Sequence, residues 1–147
     1  MTAFDIRRMA EFLGVNWREL RGKHIKAVIA DVIPIPILQS VSGVCTFLAM
    51  SDKPTCTIYP ARPMKCRLYP FLSCSPARSD LICLDECCDG VGVGELEDPP
   101  WTLLNQYHLE LKFHYAKLYK LVFDEGYEPL QALEKLIDEV CSEARGQ

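Results

Sequence analysis

The sequence contains no internal repeat and no low-complexity linker, so its zones differ in patterning rather than in composition. A secretory leader is missing from the start, where Asp5, Arg7, Arg8 and Glu11 interrupt any apolar stretch. A membrane span is missing too. Val32 to Met50 runs 19 residues without a charge, but Pro34, Pro36, Gln39, Ser40, Ser42 and Gly43 break the helix that a span requires. There is no excess of positive charge. A net charge of −4 leaves no footprint for nucleic acid, and Arg18, Arg21, Lys23 and Lys26 beside Glu19 read as a solvated face. Several enzyme signatures are absent as well: the G-x-G-x-x-G turn, the nucleophile elbow and the His-Glu zincin helix. These absences lead us to expect a cytoplasmic protein with neither a nucleic-acid nor a membrane partner. In that compartment long-lived disulfides are uncommon.

What the chain does have is cysteine. There are eight in 147 residues, and Cys45, Cys56, Cys66, Cys74, Cys83, Cys87 and Cys88 fall within one stretch of 44. Thiols at that density serve metal binding, disulfides or catalysis, and the expected compartment favours metal. The remainder is ordinary globular material, with 49% apolar and 24% charged residues, enough for one domain over 1–147 with its own core.

Periodicity divides that domain into a helical part (1–40), a cysteine-rich region of strands and turns (41–98) and C-terminal helices (99–147). Thr2-Ala3-Phe4-Asp5 resembles a capping box opening a helix with Ile6, Met9, Ala10 and Leu13 inward and Gly14 as its C-cap. Asn16-Trp17-Arg18-Glu19 is a second box, expected to start a helix with Trp17, Leu20, Val28 and Ile29 inward. Pro34 and Pro36 then impose an extended path. Val44 to Met50 and Cys56 to Tyr59 are β-suited runs about a Ser51-Asp52-Lys53-Pro54 turn, and Pro63 opens a brief helix that Pro70 stops. Trp101, Leu104, His108, Leu111, Tyr115, Leu118 and Val122 mark a helix closed by Gly126, and Leu130, Leu133, Ile137 and Val140 mark another from Pro129. The expected fold is α+β: N-terminal helices, a small antiparallel cysteine-rich hairpin region and a C-terminal antiparallel helix pair.

The spacing Cys45-x10-Cys56-x9-Cys66 puts thiols on two strands and a helix start, which converge if the hairpin forms with Cys45 facing Cys56. Of the adjacent Cys87 and Cys88, ahead of Gly90, Gly92 and Gly94, only one is expected to join a shared site. Arg62, Lys65 and Arg67 are expected to lower the pKa of neighbouring thiols and to favour the thiolate that metals bind. There is no C-x2-C knuckle of the zinc-finger kind. Cys141 sits on the apolar stripe of the last helix and reads as a packing residue; Cys74, Cys83 and Cys87 read equally as small hydrophobes, spare ligands or a redox pair. His108 reads as packing, and neither His24 nor His114 has a thiol near it in sequence.

Cys45, Phe47 and Leu48, then Cys56, Ile58, Tyr59, Arg62, Pro63, Cys66, Arg67 and Pro70, then Cys88, Gly90, Gly92 and Gly94 form a recognisable series. Together with the Asp5-Ile6-Arg7-Arg8-Met9-Ala10 helix and Leu13-Gly14, it resembles the YkgJ-like, or CxxCxxCC-type, cysteine-cluster family of zinc- or iron-chelating domains. Tyr69 stands where that family usually has Phe, and Asp89 where it has Pro. The resemblance implies Cys45, Cys56, Cys66 and Cys88 as ligands of zinc or an iron–sulfur cluster, with Arg62 and Arg67 beside that cofactor balancing its charge. The family's C-x2-C-x2-C-C segment precedes the first helix and is lacking here, so we expect either an upstream continuation or a member with half the ligand set. A similar block occurs in proteins resembling flagellin lysine methylases, so the alternative expectation is an iron–sulfur-dependent enzyme.

Overall fold

The computed structural model describes residues 1–73, 81–95 and 97–143. It is an α+β fold whose core lies between the first helix and the last two. Helix α1, Ala3–Leu13, begins at Thr2, whose side chain accepts from the Asp5 N–H while Asp5 accepts from the Thr2 N–H. It ends at Gly14, at φ 66°, where a residue without a Cβ closes the helix at little cost. Ile6, Met9 and Ala10 are buried on its inner face; Leu13 is exposed. Helix α2 is Trp17–Leu20, opened by Asn16 and Glu19 as a reciprocal pair.

The second helix stops well short of its sequence expectation. Arg21 is extended and Gly22 turns at φ 75°, so the chain enters strand β1, Ile25–Ala30. Val28 and Ile29, expected inward, lie on this strand and are exposed. Strand β2, Ile33–Leu38, pairs with β1 antiparallel, with Ala27 opposite Pro36 and Ile29 opposite Pro34. Both prolines are buried, and their rings keep this run extended as expected.

Three further ladders are short. Ser40–Val41 (β3) pairs with Val44–Cys45 (β4), and Leu48–Ala49 (β5) pairs with Thr55–Cys56 (β6). A 3-10 turn at Tyr59–Ala61 leads to α3, Met64–Leu68. Then Phe71–Ser73 (β7) pairs with Ile82–Leu84 (β8). The C-terminal helix pair is α4, Trp101–Tyr119, and α5, Pro129–Glu143, joined through a π-helical turn at Lys120–Asp124. Lys117 Nζ lies 2.8 Å from a Glu139 oxygen across that pair. Among the described residues, no helix is long and apolar enough to cross a membrane.

The buried face of α4 differs from the one that apolarity alone suggests. Leu104, Glu110, His114 and Leu118 face inward, followed by Leu121 in the π turn, whereas Trp101 and Tyr115 are exposed. Two polar residues hold core positions because each has a partner on α1. Arg8 donates to both Glu110 oxygens, at 2.6 and 2.8 Å, and the Ala3 N–H donates to His114 Nδ1 at 3.2 Å. Leu121 follows Leu118 by three residues and takes the core place, with Val122 half-buried beside it.

His114 is wholly buried, and burial pushes its pKa down from 6.5 to about 4. The ring is therefore neutral in the fold and accepts at Nδ1. The unfolded chain protonates it near 6.5, so stability is undiminished above that pH and falls as pH drops towards 4. The expected loss is about 3 kcal/mol, in addition to that from the carboxylates. Urea titrations of wild type and His114→Gln at pH 7 and pH 4 should show a smaller pH dependence in the variant. Equal dependence would remove His114 from the account.

Candidate metal centre

Each cysteine of the motif block is set by its own local turn. Ser42 and Gly43, both at positive φ, fold β4 back so that Cys45 sits opposite Ser40. Cys56 sits opposite Leu48 in the next ladder. The two cysteines therefore do not face each other across one hairpin, as the spacing suggested. Between the ladders, Phe47 turns into the core, and its carbonyl accepts from the Thr57 N–H at 2.8 Å and the Thr57 hydroxyl at 3.0 Å. That anchoring breaks the expected long strand into two short ones. Cys66 lies in the first turn of α3, where its N–H donates to Pro63 O at 2.8 Å.

Cys45, Cys56 and Cys66 nevertheless line one pocket of about 390 Å³. All three are free thiols; Cys45 and Cys56 are half-buried, and Cys66 is exposed. Phe47 and Ile58, both core residues, form part of the pocket wall. Arg62 and Arg67 also line it. The Arg62 guanidinium lies 3.7 Å from the Tyr59 ring centre and donates to Tyr59 O at 3.1 Å, and Arg67 donates to Pro60 O. One sequence expectation reverses here. Burial pushes the Cys66 thiol up, Cys45, Cys56 and Asp5 push it further, and Arg62 offsets only part of this. A guanidinium engaged with a ring and a carbonyl cannot outweigh partial burial beside two other sulfurs.

Cys88 is not on the pocket wall. The β7–β8 ladder carries the chain back along Phe71, and the Asp85 N–H donates to Pro70 O at 2.9 Å. Asp85 then organises the next turn, accepting from the Cys87 N–H on its side chain and from the Cys88 N–H on its carbonyl. This places Cys88 close enough to Tyr69 to act on its hydroxyl. Tyr69 itself lines the thiol pocket, so Cys88 neighbours a residue of the pocket wall. Partial burial, then Asp85, Cys88 and Cys87, hold the Tyr69 hydroxyl above its ordinary pKa.

The other cysteines lie elsewhere. Cys141 packs half-buried against the core at α5, as its stripe suggested. Cys83 is disulfide-bonded, Cys87 is a free, exposed thiol, and Cys74 lies outside the described residues. His24 stacks on Phe47 with ring centres 4.1 Å apart, and its Nδ1 is 3.0 Å from the Thr46 hydroxyl, one residue from Cys45. Nothing in the spacing marks this neighbour, because it comes from the turn before β1.

Three thiols on one pocket with two arginines on its wall fit a thiolate-bound cation in donor type. At their present spacing they do not close around one. Among the described residues, no three Cys, His, Asp or Glu side chains are close enough to hold an ion. A bound ion would have to draw the sulfurs inward, and at least one more donor would complete four-fold coordination.

No curated protein and no solved structure matches the chain. A family model does match it, over residues 1–89, which take in α1, the thiol pocket and Cys88. That family is described as CxxCxxCC, "putative zinc- or iron-chelating domain", and this protein belongs to it.

Proposed function

We propose that the protein is a cytoplasmic metal-binding module in which Cys45, Cys56 and Cys66 present thiolates to zinc or to an iron–sulfur centre. The observation that carries this reading is the meeting of three free thiols, from two ladders and a helix, on one pocket. Cys45 and Cys56 also pack against the core beside Phe47 and Ile58, but packing gives no reason to bring the exposed Cys66 to the same pocket. Cys88 is the proposed fourth donor, entering past Tyr69. Arg62 and Arg67 are placed to balance the charge that several thiolates bring together.

Bound zinc would serve as a structural or stored ion, and an iron–sulfur centre would add electron transfer. The residues of this chain would hold the sulfurs, screen them on one side with Phe47 and Ile58, and leave Cys66 open for loading. Anaerobic purification followed by absorbance and elemental analysis tests the reading. Brown protein with iron and sulfide identifies a cluster, and colourless protein with zinc identifies a single ion. Protein that carries neither metal and takes up neither zinc nor iron when they are supplied would contradict the proposal.

A further inference from the structure

Helix α3 carries Cys66, yet its own sequence cannot cap it. Its N-cap is Pro63, whose ring has no hydrogen-bonding group, and no local side chain caps the helix. The missing acceptor arrives from 59 residues away. Asp5 Oδ1 accepts the Met64 N–H at 2.8 Å, while Asp5 Oδ2 accepts the Thr2 N–H at 2.9 Å. One wholly buried carboxylate thus serves the first turn of α1 and the first turn of α3 together. Arg8 holds it in place with a 2.5 Å hydrogen bond to Oδ1, and Arg8 is itself fixed by both oxygens of Glu110. Gln106 adds a further donor to Glu110 at 2.9 Å.

We propose that Asp5 is a positioning residue for the thiol pocket: by capping α3 from α1, it fixes the place of Cys66 relative to Cys45 and Cys56. The proposal rests on the metal-binding reading above. A carboxylate committed to four donors, the Thr2 hydroxyl at 3.3 Å being the fourth, leaves α3 little freedom to slide or fray. Cys66 follows Met64 by two residues in the same turn, so its Cα is held by the same bond. Arg8 and Met64 donate to the same Asp5 oxygen, which Asn would keep, so the informative change is Asp5→Ala: it removes both acceptors, α3 loses its cap and Cys66 is released.

The test is a double-mutant cycle read by zinc affinity in the full chain, using competition with a chromophoric chelator. Asp5→Ala should weaken zinc binding about tenfold or more, in the range seen for outer partners of metal ligands. In the Cys66→Ser background the same change should add less than about a threefold loss, because its effect runs through Cys66. Equal losses in both backgrounds would mean general destabilisation and would overturn the proposal. Cys66→Ser weakening zinc while Asp5→Ala does not would overturn the proposal and leave the metal reading standing. No loss of affinity in Cys66→Ser would defeat the metal reading itself. Amide exchange of the wild-type protein gives a test that needs no variant to fold: the Met64 N–H should be protected, and exchange at the rate of an open amide would overturn the cap.

Discussion

Cys66→Ser is expected to release the metal and to open residues 41–70 to protease, while helical circular dichroism changes little. Coupled binding of a structural ion by thiolates contributes on the order of 10 kcal/mol at neutral pH, more than the whole stability of many domains of this size. The region around the pocket has little else to hold it. Its two ladders are two residues per strand, far below the length at which paired strands stand alone; Phe47 and Ile58 tie it to the main core, and its other buried apolar residues, Ala61, Met64 and Leu68, lie in the turn and helix that follow the ladders. The helices are differently placed, because α1, α4 and α5 bury Ile6, Met9, Leu118, Leu136 and Val140 against one another without any thiol. Limited proteolysis with and without a chelator should therefore show early cuts between the ladders only when metal is absent or Cys66 is replaced. Cys141→Ser is the matching control, with unchanged metal and unchanged cleavage. Cuts spread evenly over the chain would show that the metal supports the helices as well.

Arg8→Met is expected to destabilise the protein by about 3 kcal/mol, with metal bound or not. Burial opposes the charge on Arg8, but Glu110 and Asp5 more than offset this and hold the guanidinium above its ordinary pKa. Removing the cation leaves two carboxylates facing each other out of water, and an uncompensated buried charge costs about 3 to 5 kcal/mol. Arg8 keeps some contact with solvent, which places the effect at the lower end. Adding Glu110→Leu to Arg8→Met should restore part of the loss, since one stranded charge goes with it. Urea midpoints of the two single variants and the double measure this directly. Additive losses would show that the ion pair is worth no more than its separate contacts.

The parts of this fold that the sequence disclosed were those decided within a few residues. The boxes at Thr2–Asp5 and Asn16–Glu19, the Gly14 stop and the extended Pro34–Pro36 run all depend on local geometry. Val28 and Ile29 were read as helix because apolar residues recurred at a helical step from Trp17. The left-handed Gly22 ends that helix instead, and β-branched neighbours suit the strand that follows. The inner face of α4 was misjudged because Glu110 and His114 owe their burial to Arg8 and Ala3, partners that no window on α4 contains. The cysteine block was legible as chemistry, and the spacing located three of its thiols on short elements that could meet. Their register was not legible, because Phe47 spends its place in the strand on the core. Asp5 was read as one half of a cap, since its second partner, the Met64 N–H, lies across the fold.

Metal content per chain is the most direct measure of the central claim. The full protein, purified without oxygen, should carry about one zinc ion or one cluster in wild type and in Cys141→Ser, and none in the Cys45→Ser, Cys56→Ser, Cys66→Ser triple variant. Equal metal content in wild type and the triple variant would contradict the account and remove these cysteines from the metal site.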